Sequence, residues 1–160
     1  ITNIPKLPIA ILTADCAPIL IYDKQKKMIA AIHAGWKGAY KGIISKVINF
    51  MIKKGCEKKN IIAVIGPCIA QKSYNVKEDF KRKFLKKDKR NKVFFKKRKN
   101  LIHFDLSKYV KLQLKLMKIT NLDTINIDTF PKKNNFFSAR RSLHLNHDDY
   151  GRNISLIMIN

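Results

Sequence analysis

Two apolar segments that are joined by a very short polar connection constrain the fold of this chain most. Residues 18–22 and 28–33 are rich in Ile, Leu and Ala, whereas residues 23–27 between them are Asp, Lys and Gln. Short β-branched apolar segments of this kind are typical of buried strands. Because the connection is so short, it favours an antiparallel hairpin. A third apolar segment, residues 9–12, predicts another strand just before the pair.

Helical patterns and further strands follow the hairpin. Residues 39–54 carry apolar side chains at helical spacing, and Gly55 follows where a glycine often ends a helix. A second helix is predicted over residues 106–118, after Asp105, a residue type that caps helix N-termini. Residues 77–99 are polar and predicted to be partly helical. Additional strands are predicted at residues 61–65, 122–127 and 154–159.

This mixture of hairpin strands and intervening helices predicts the α+β class, with mixed or antiparallel sheets and flanking helices. The 160 residues, of which 46% are hydrophobic, are enough for a single domain with a real core. Every apolar run is shorter than the ~20 residues that a membrane-spanning helix needs, so no membrane partner is expected. Three cysteines without CxxC spacing favour the cytoplasm over a disulfide-bonded, secreted context.

The formal net charge of +23 raises the question of nucleic acid. Lysine greatly outnumbers arginine, although the planar fork of arginine is better suited to recognising base edges and phosphates. The densest basic stretch, residues 81–99, lacks the regularly spaced aromatic side chains of a single-strand binding surface. A solvated lysine-rich surface therefore explains the charge best, and we expect no specific nucleic-acid partner.

Cys16 and His33 are the best candidates for a chemical site. Each lies at the end of a predicted strand beside a turn, and a hairpin would bring both ends within several Å of each other. A thiolate and an imidazole together suit Zn²⁺, and they also suit a cysteine nucleophile with a histidine base. Spacing alone leaves a third possibility open, in which Cys16 is a buried apolar residue and His33 has a structural role.

Several sequence blocks carry a family resemblance. The two most specific are TADCAP at residues 13–18 and HAGWKG at residues 33–38. They are followed by IGPCI at 65–69, SYNV at 73–76, FSARR at 137–141 and YGR at 150–152. In content and order, these blocks resemble the YfiH-like family, which is also labelled the laccase-domain or multicopper polyphenol oxidase family.

The resemblance implies αββα-like layers and a zinc site made by one cysteine and two histidines. Cys16 and His33 match two of these ligands. The other histidine of the family lies upstream of the TADC block, so we expect the N-terminal segment to be absent from this chain. Copper is less expected than zinc, because a multicopper site needs many histidines and this chain has four.

The resemblance also implies an activity. Family members are similar to purine nucleoside phosphorylases, which convert adenosine, inosine or methylthioadenosine and phosphate into a base and ribose 1-phosphate; they are also reported to deaminate adenosine. The expected partners are therefore a purine nucleoside and phosphate. Arg140 and Arg141 are candidates for binding phosphate, because a guanidinium matches phosphate with two hydrogen bonds. They could instead be an ordinary surface pair.

Two other functions remain open from the sequence. The first is a metal-free amide or ester hydrolase with Cys16 as nucleophile and His33 as base, and the family resemblance links this alternative to peptidoglycan-precursor editing. The second is an inactive truncated remnant. Two neighbouring side chains also have two interpretations each. Asp15 could orient an imidazole or stabilise the turn, and Trp36 could stack on a purine or pack over the hairpin.

Overall fold

The computed structural model describes residues 1–147 and 149–160. The strands of this part of the chain are β1 (Ile9–Thr13), β2 (Ala17–Asp23), β3 (Met28–Ala34), β4 (Ile61–Ile65), β5 (Asn75–Val76), β6 (Phe95–Arg98), β7 (Leu101–Phe104), β8 (Asn121–Thr124) and β9 (Asn153–Ile157). Its α-helices are α1 (Trp36–Tyr40), α2 (Ile43–Lys53), α3 (Glu78–Lys87), α4 (Leu106–Leu116) and α5 (Ala139–His144).

A four-stranded sheet with the order β3-β2-β4-β8 forms the centre of the fold. Strand β2 pairs antiparallel with β3 and β4, and β4 pairs parallel with β8. The predicted hairpin is therefore confirmed. Ile19, Ile21 and Ile65 lie on one face of this sheet and are fully buried, whereas Leu20 and Val64 on the opposite face are half-buried.

Two smaller sheets flank the central one. Strands β1 and β9 form an antiparallel ribbon, and β5, β7 and β6 form a three-stranded antiparallel sheet. Helix α3 packs on the three-stranded sheet through Phe80 and Phe84, whose rings lie 5.1 and 4.8 Å from that of Phe104. The chain is thus a single α+β domain with mixed and antiparallel sheets and helices beside them, as predicted.

The helix predicted over residues 39–54 begins earlier and is interrupted. Helix α1 ends at Tyr40, and α2 begins after Gly42, whose φ of +80° lies in the left-handed region that favours glycine. Gly55 has a φ of +89°, and its N–H donates to the carbonyl of Ile52, so it ends α2 as predicted. The Asp105 carboxylate accepts a hydrogen bond from the backbone N–H of Lys108, which confirms the predicted cap of α4.

Several boundaries differ from the prediction. Helix α4 ends at Leu116, two residues early, and β8 ends at Thr124 because the chain leaves the edge of the central sheet there. The small sheet of β5, β6 and β7 and the short helix α5 were not predicted. Within the described residues, none of the helices has both the length and the apolar surface that crossing a membrane requires.

Candidate functional site

The hairpin places Cys16 and His33 at the same end of two neighbouring strands. Cys16 lies immediately before β2, and His33 is the penultimate residue of β3. In the register of this pair, Ala17 is opposite Ala34, and Pro18 is opposite His33. The adjacency expected from the sequence therefore follows from local antiparallel pairing.

The side chains of Cys16 and His33 both lie close to Gly35. A β-carbon built on Gly35 would lie 2.8 Å from Cys16 Sγ and 3.9 Å from His33 Nε2. The separation between sulfur and nitrogen therefore cannot exceed the sum of these two distances. Because residue 35 is a glycine, the space between the two atoms is not filled by a side chain. This arrangement is compatible with one zinc ion bound at ~2.3 Å by sulfur and ~2.0 Å by nitrogen.

The surroundings of Cys16 are apolar and acidic. Burial, and secondarily the charge of Asp15, raise the pKa of the Cys16 thiol from 9.0 to about 11. The thiol is therefore protonated near neutral pH, and a bound divalent cation would favour the thiolate. His33, in contrast, is solvent-exposed. The pair thus combines a half-buried cysteine with an accessible imidazole.

A metal ion at Cys16 and His33 would need further ligands. Across residues 1–147 and 149–160, no group of three or more His, Cys, Asp or Glu side chains is arranged to hold a metal ion. His103 is buried, and its Nδ1 lies 3.0 Å from the carbonyl oxygen of Gln71. His144 packs edge-on against Phe130. A tetrahedral ion on Cys16 and His33 would therefore have two positions left for other ligands.

Asp15 connects the turn before β2 to the C-terminal part of the chain. Its carboxylate accepts hydrogen bonds from Thr129 Oγ1 at 2.7 Å, Ser138 Oγ at 2.9 Å and the backbone N–H of Arg140 at 2.7 Å. Asp15 has a φ of +80°, a conformation that aspartate tolerates better than most residues. Its carboxylate stabilises the turn and holds the FSARR segment, so it is a structural anchor beside the candidate ligand.

Arg140 extends from this anchor into a cavity beside Cys16. The cavity has a volume of about 130 Å³, and Asp15, Cys16, Trp36, Tyr74 and Arg140 are among its lining residues. Arg140 Nη1 donates a 2.9 Å hydrogen bond to the carbonyl oxygen of Asn75 and a further one to Asn75 Oδ1. The guanidinium also lies 5.2 Å from the ring centre of Tyr74. The structure therefore brings Arg140 and Cys16 to one cavity.

Arg141 is directed elsewhere. Its guanidinium donates hydrogen bonds to three backbone carbonyls, those of Thr129 at 3.2 Å, Phe130 at 2.6 Å and Phe136 at 2.5 Å. These bonds fix the loop before α5, and Arg141 does not line the cavity beside Cys16. Of the two arginines predicted for phosphate, only Arg140 lies beside the cysteine.

Aromatic side chains form the rest of the site. The Trp36 ring packs edge-on against Phe80 of α3 at 4.9 Å and not over the hairpin as predicted, and Trp36 also lines the cavity. Burial raises the pKa of the Tyr74 phenol to about 12, and the nearby Arg140 opposes this shift. Tyr74 and Asn75 were not predicted as site residues. The signal that could have found them is their position in the SYNV block.

Known proteins that resemble this chain share its sequence and fold. The family model described as multi-copper polyphenol oxidoreductase laccase matches residues 1–160. A protein named purine nucleoside phosphorylase from Rickettsia conorii is 42% identical over 156 residues, which are 96% of this chain and 64% of that protein. A protein of the same name from Bacteroides thetaiotaomicron is 34% identical over 146 residues, covering 88% of this chain and 54% of that protein.

A solved structure has the same fold as this chain. The crystal structure of a hypothetical protein YfiH from Bacillus licheniformis has a TM-score of 0.85 and 28% identity, covering 99% of this chain and 60% of that one. This chain therefore spans about 60% of the length of that protein. The matches extend over the whole sequence and include the hairpin with Cys16 and His33. The chain belongs to the YfiH-like family, which is the family of multi-copper polyphenol oxidoreductase laccase proteins.

Proposed function

We propose that this chain forms the catalytic site of a zinc-dependent purine nucleoside phosphorylase. The observation that carries the proposal is that Cys16 Sγ and His33 Nε2 both lie close to Gly35, and that Cys16 lines a cavity together with Arg140. The names of the Rickettsia conorii and Bacteroides thetaiotaomicron relatives support this type of reaction. Adenosine, inosine and methylthioadenosine are the proposed nucleosides.

The residues of the site have distinct roles in this reaction. Arg140 holds hydrogen phosphate, because it is the one cationic residue among the described residues that line the cavity with Cys16. A phosphate oxygen forms a bond to C1′ of the ribose as the bond from C1′ to the purine breaks. The purine leaves with that electron pair and takes the proton of hydrogen phosphate. The Asp15 carboxylate positions Arg140 by accepting a hydrogen bond from its backbone N–H.

Cys16 and His33 are the proposed metal ligands. Zinc bound by these two residues would supply Lewis acidity for phosphate or water. We propose adenosine deamination as a second reaction of the same site, in which water replaces the C6 amino group and ammonia leaves. Arg141 has less support as a phosphate ligand, since its guanidinium donates to backbone carbonyls.

The metal-free hydrolase has weaker support. A cysteine nucleophile must be a thiolate, and the usual activating environment is cationic. Cys16 instead lies beside the carboxylate of Asp15, and burial raises its pKa to about 11. Without a cation, the thiol would therefore be a poor nucleophile near neutral pH. The inactive remnant predicts neither zinc binding nor turnover, so the same experiment separates all three functions.

The experiment combines metal content with product analysis. The purified chain is loaded with zinc, and its metal content is compared with those of Cys16→Ala, His33→Ala and the control Cys56→Ala. Cys56 is a buried thiol near Met28, at the other end of the hairpin. We expect zinc to be lost in the first two variants and kept in the control. The same samples are incubated with adenosine and phosphate, and adenine, ribose 1-phosphate and inosine are separated by chromatography.

The products decide between the proposed functions. Adenine with ribose 1-phosphate supports phosphorolysis, and inosine supports deamination. If the zinc-loaded chain yields none of these products, the purine function is wrong. Zinc-free protein whose Cys16 is alkylated rapidly at neutral pH would support the hydrolase instead.

We further propose that residues 1–160 act as one catalytic domain in the cytoplasm. The described residues fold as a single α+β domain. Cys16, Cys56 and Cys68 are all free thiols, which suits a reducing compartment. Fractionation of cells that produce the protein tests the location.

A further inference from the structure

The cavity beside Cys16 adjoins a larger cavity, which we call the groove. Trp36, Tyr74 and Arg140 line both the 130 Å³ cavity and a neighbouring one of about 880 Å³. The larger cavity runs along β5 and the first turn of α3. Its size is in the range of small-molecule sites, which are typically ~300–1,000 Å³. The smaller cavity could hold a phosphate-sized group, and a nucleoside needs the larger one as well.

The groove leads to a cleft that is rich in lysine. Glu78, Asn100 and Ile102 line both the 880 Å³ cavity and a third cavity of about 290 Å³. This third cavity lies between α3 and β6. The four lysines that line it are Lys81, Lys92, Lys96 and Lys97. The three cavities are therefore neighbours that lead from Cys16 to these lysines, and we name the third cavity the lysine cleft.

The positive charge of the lysine cleft is mostly unbalanced. Glu78 lies 3.5 Å from Lys81, and this is the one ion pair that the four lysines form within the described residues. Lys92, Lys96 and Lys97 are exposed, so their ammonium groups are available to a ligand. Closely spaced like charges raise the potential of a cleft and favour an anion with several charges.

The three-stranded sheet sets the distance between the two ends of this succession of cavities. In its registers, Asn75 is opposite His103, and His103 is opposite Lys96. Two strand spacings of ~4.8 Å put Lys96 on the order of 10 Å from Asn75 across the sheet. Arg140 contacts Asn75 at the other end. A nucleoside bound beside Arg140 could therefore reach the lysine cleft with a short phosphate chain on its 5′ oxygen.

From this succession of neighbouring cavities we infer that the groove binds purine nucleosides that carry a 5′-phosphate chain, with the phosphates in the lysine cleft. The inference rests on the proposed function, because it takes the base and ribose to lie near Cys16 and Arg140. It deepens that function, because a free nucleoside would leave the lysine cleft unused. The substrate class is then a purine nucleotide.

Equilibrium binding tests the inference without turnover. Adenosine and adenosine 5′-diphosphate are titrated into the 160-residue chain by calorimetry, in the absence of inorganic phosphate. The double variant Lys96→Gln/Lys97→Gln removes two charges of the lysine cleft. The control Lys24→Gln/Lys27→Gln removes two charges from the hairpin turn, which is seven residues along β2 from the Cys16 end.

We expect adenosine 5′-diphosphate to bind about tenfold more tightly than adenosine, which corresponds to about 1.4 kcal/mol. The Lys96→Gln/Lys97→Gln variant should lose most of this difference while its affinity for adenosine is unchanged. The control should keep the difference, since its charges are far from the groove.

Three results would overturn the inference. One is equal affinity for adenosine and adenosine 5′-diphosphate. Another is an equal loss in the control, which would show a general effect of surface charge. The last is that inorganic pyrophosphate binds as tightly as adenosine 5′-diphosphate, because the nucleoside would then contribute nothing. Each can occur even if adenosine is phosphorolysed, so failure of this inference is distinguishable from failure of the proposed function.

Discussion

Asp15 is the residue on which the geometry of the site depends most. It is 8% exposed, and its carboxylate has three hydrogen-bond donors but no ion-pair partner within the described residues. A buried carboxylate without donors would be very unfavourable, so the three bonds compensate for its lost hydration. The C-terminal part of the chain therefore fixes the backbone of Asp15, and with it the position of the adjacent Cys16.

We expect Asp15→Ala to lower the free energy of unfolding by about 3 kcal/mol, because it leaves buried donors without an acceptor. Urea denaturation measures the change. The control is Asp123→Ala, which removes an exposed carboxylate and should cost less than about 0.5 kcal/mol. Equal effects in the two variants would contradict the role of Asp15 as an anchor.

Gly35 and Gly38 offer a matched test of the proposed metal site. The added β-carbon of Gly35→Ala would lie 2.8 Å from Cys16 Sγ, whereas that of Gly38→Ala has its nearest neighbour at 3.6 Å. Gly35 has a φ of −71°, so alanine fits its backbone and only the sulfur must move. We expect Gly35→Ala to lower zinc affinity by about tenfold or more, as disturbed ligand positions commonly do. Gly38→Ala should retain zinc in the same titration, and a similar loss in both would count against the site.

Cys68 makes stability depend on alkaline pH. Burial raises the pKa of its thiol from 9.0 to about 12, so the folded state keeps the proton longer than the unfolded state does. The contribution of this thiol to the free energy of unfolding is fully present below pH 9.0 and is lost as the pH rises towards about 12. We expect the free energy of unfolding to fall above pH 9, with a slope from this group of up to about 1.4 kcal/mol per pH unit. Urea titrations at pH 8 to about 10.5 should show a shallower fall in Cys68→Ala; an identical slope would contradict the assignment.

At the scale of elements, the sequence predicted the structures that form locally. The β2–β3 hairpin is specified by two apolar runs and a short connection, and this pairing alone brings Cys16 to His33. The cap of α4 by Asp105 was also predictable, because the capping interaction spans only three residues. Local sequence patterns therefore predicted that Cys16 and His33 lie close together.

Elements that depend on distant partners were not predictable. Strand β6 is the basic sequence FKKR, and it is a strand because it pairs with β7, not because its own residues favour one. The apolar periodicity continues across Gly42, so it did not predict that the helix is interrupted there. The bond from Ser138 to Asp15 spans 123 positions, and no short pattern encodes such a contact. The cavity could therefore be predicted only in part.

The end of α2 gives a test at this scale. Gly55 has a φ of +89°, and its added β-carbon would also approach Lys26 Cε at 3.1 Å. We expect Gly55→Ala to lower the free energy of unfolding by about 1 kcal/mol, because alanine is strained in this backbone conformation. Urea denaturation measures the loss, with Gly38→Ala as the control at ordinary helical geometry. A stabilising Gly55→Ala would show that α2 ends differently.

The whole molecule carries 34 basic and 11 acidic residues. The five ion pairs found within the described residues are largely exposed, so they compensate little of the charge. Self-repulsion must therefore destabilise the compact state at low ionic strength.

We expect added sodium chloride to raise the midpoint of thermal unfolding, because salt screens this repulsion. A gain of about 1 kcal/mol would correspond to a shift of roughly 2–4 °C in a chain of this size. Scanning calorimetry at low and moderate salt measures the shift, with an equal osmolarity of sucrose as the control. A midpoint that falls with salt would show that attraction between charges dominates.

The bond between Asp15 and the backbone of Arg140 spans 125 positions. During synthesis on a ribosome, the hairpin emerges and can form long before its anchoring loop exists. Sulfur and imidazole would then be neighbours in a nascent chain whose pocket is still unbuilt. The cavity beside them would form only after Arg140 has also been synthesised, so it is assembled later than the hairpin that carries the two side chains.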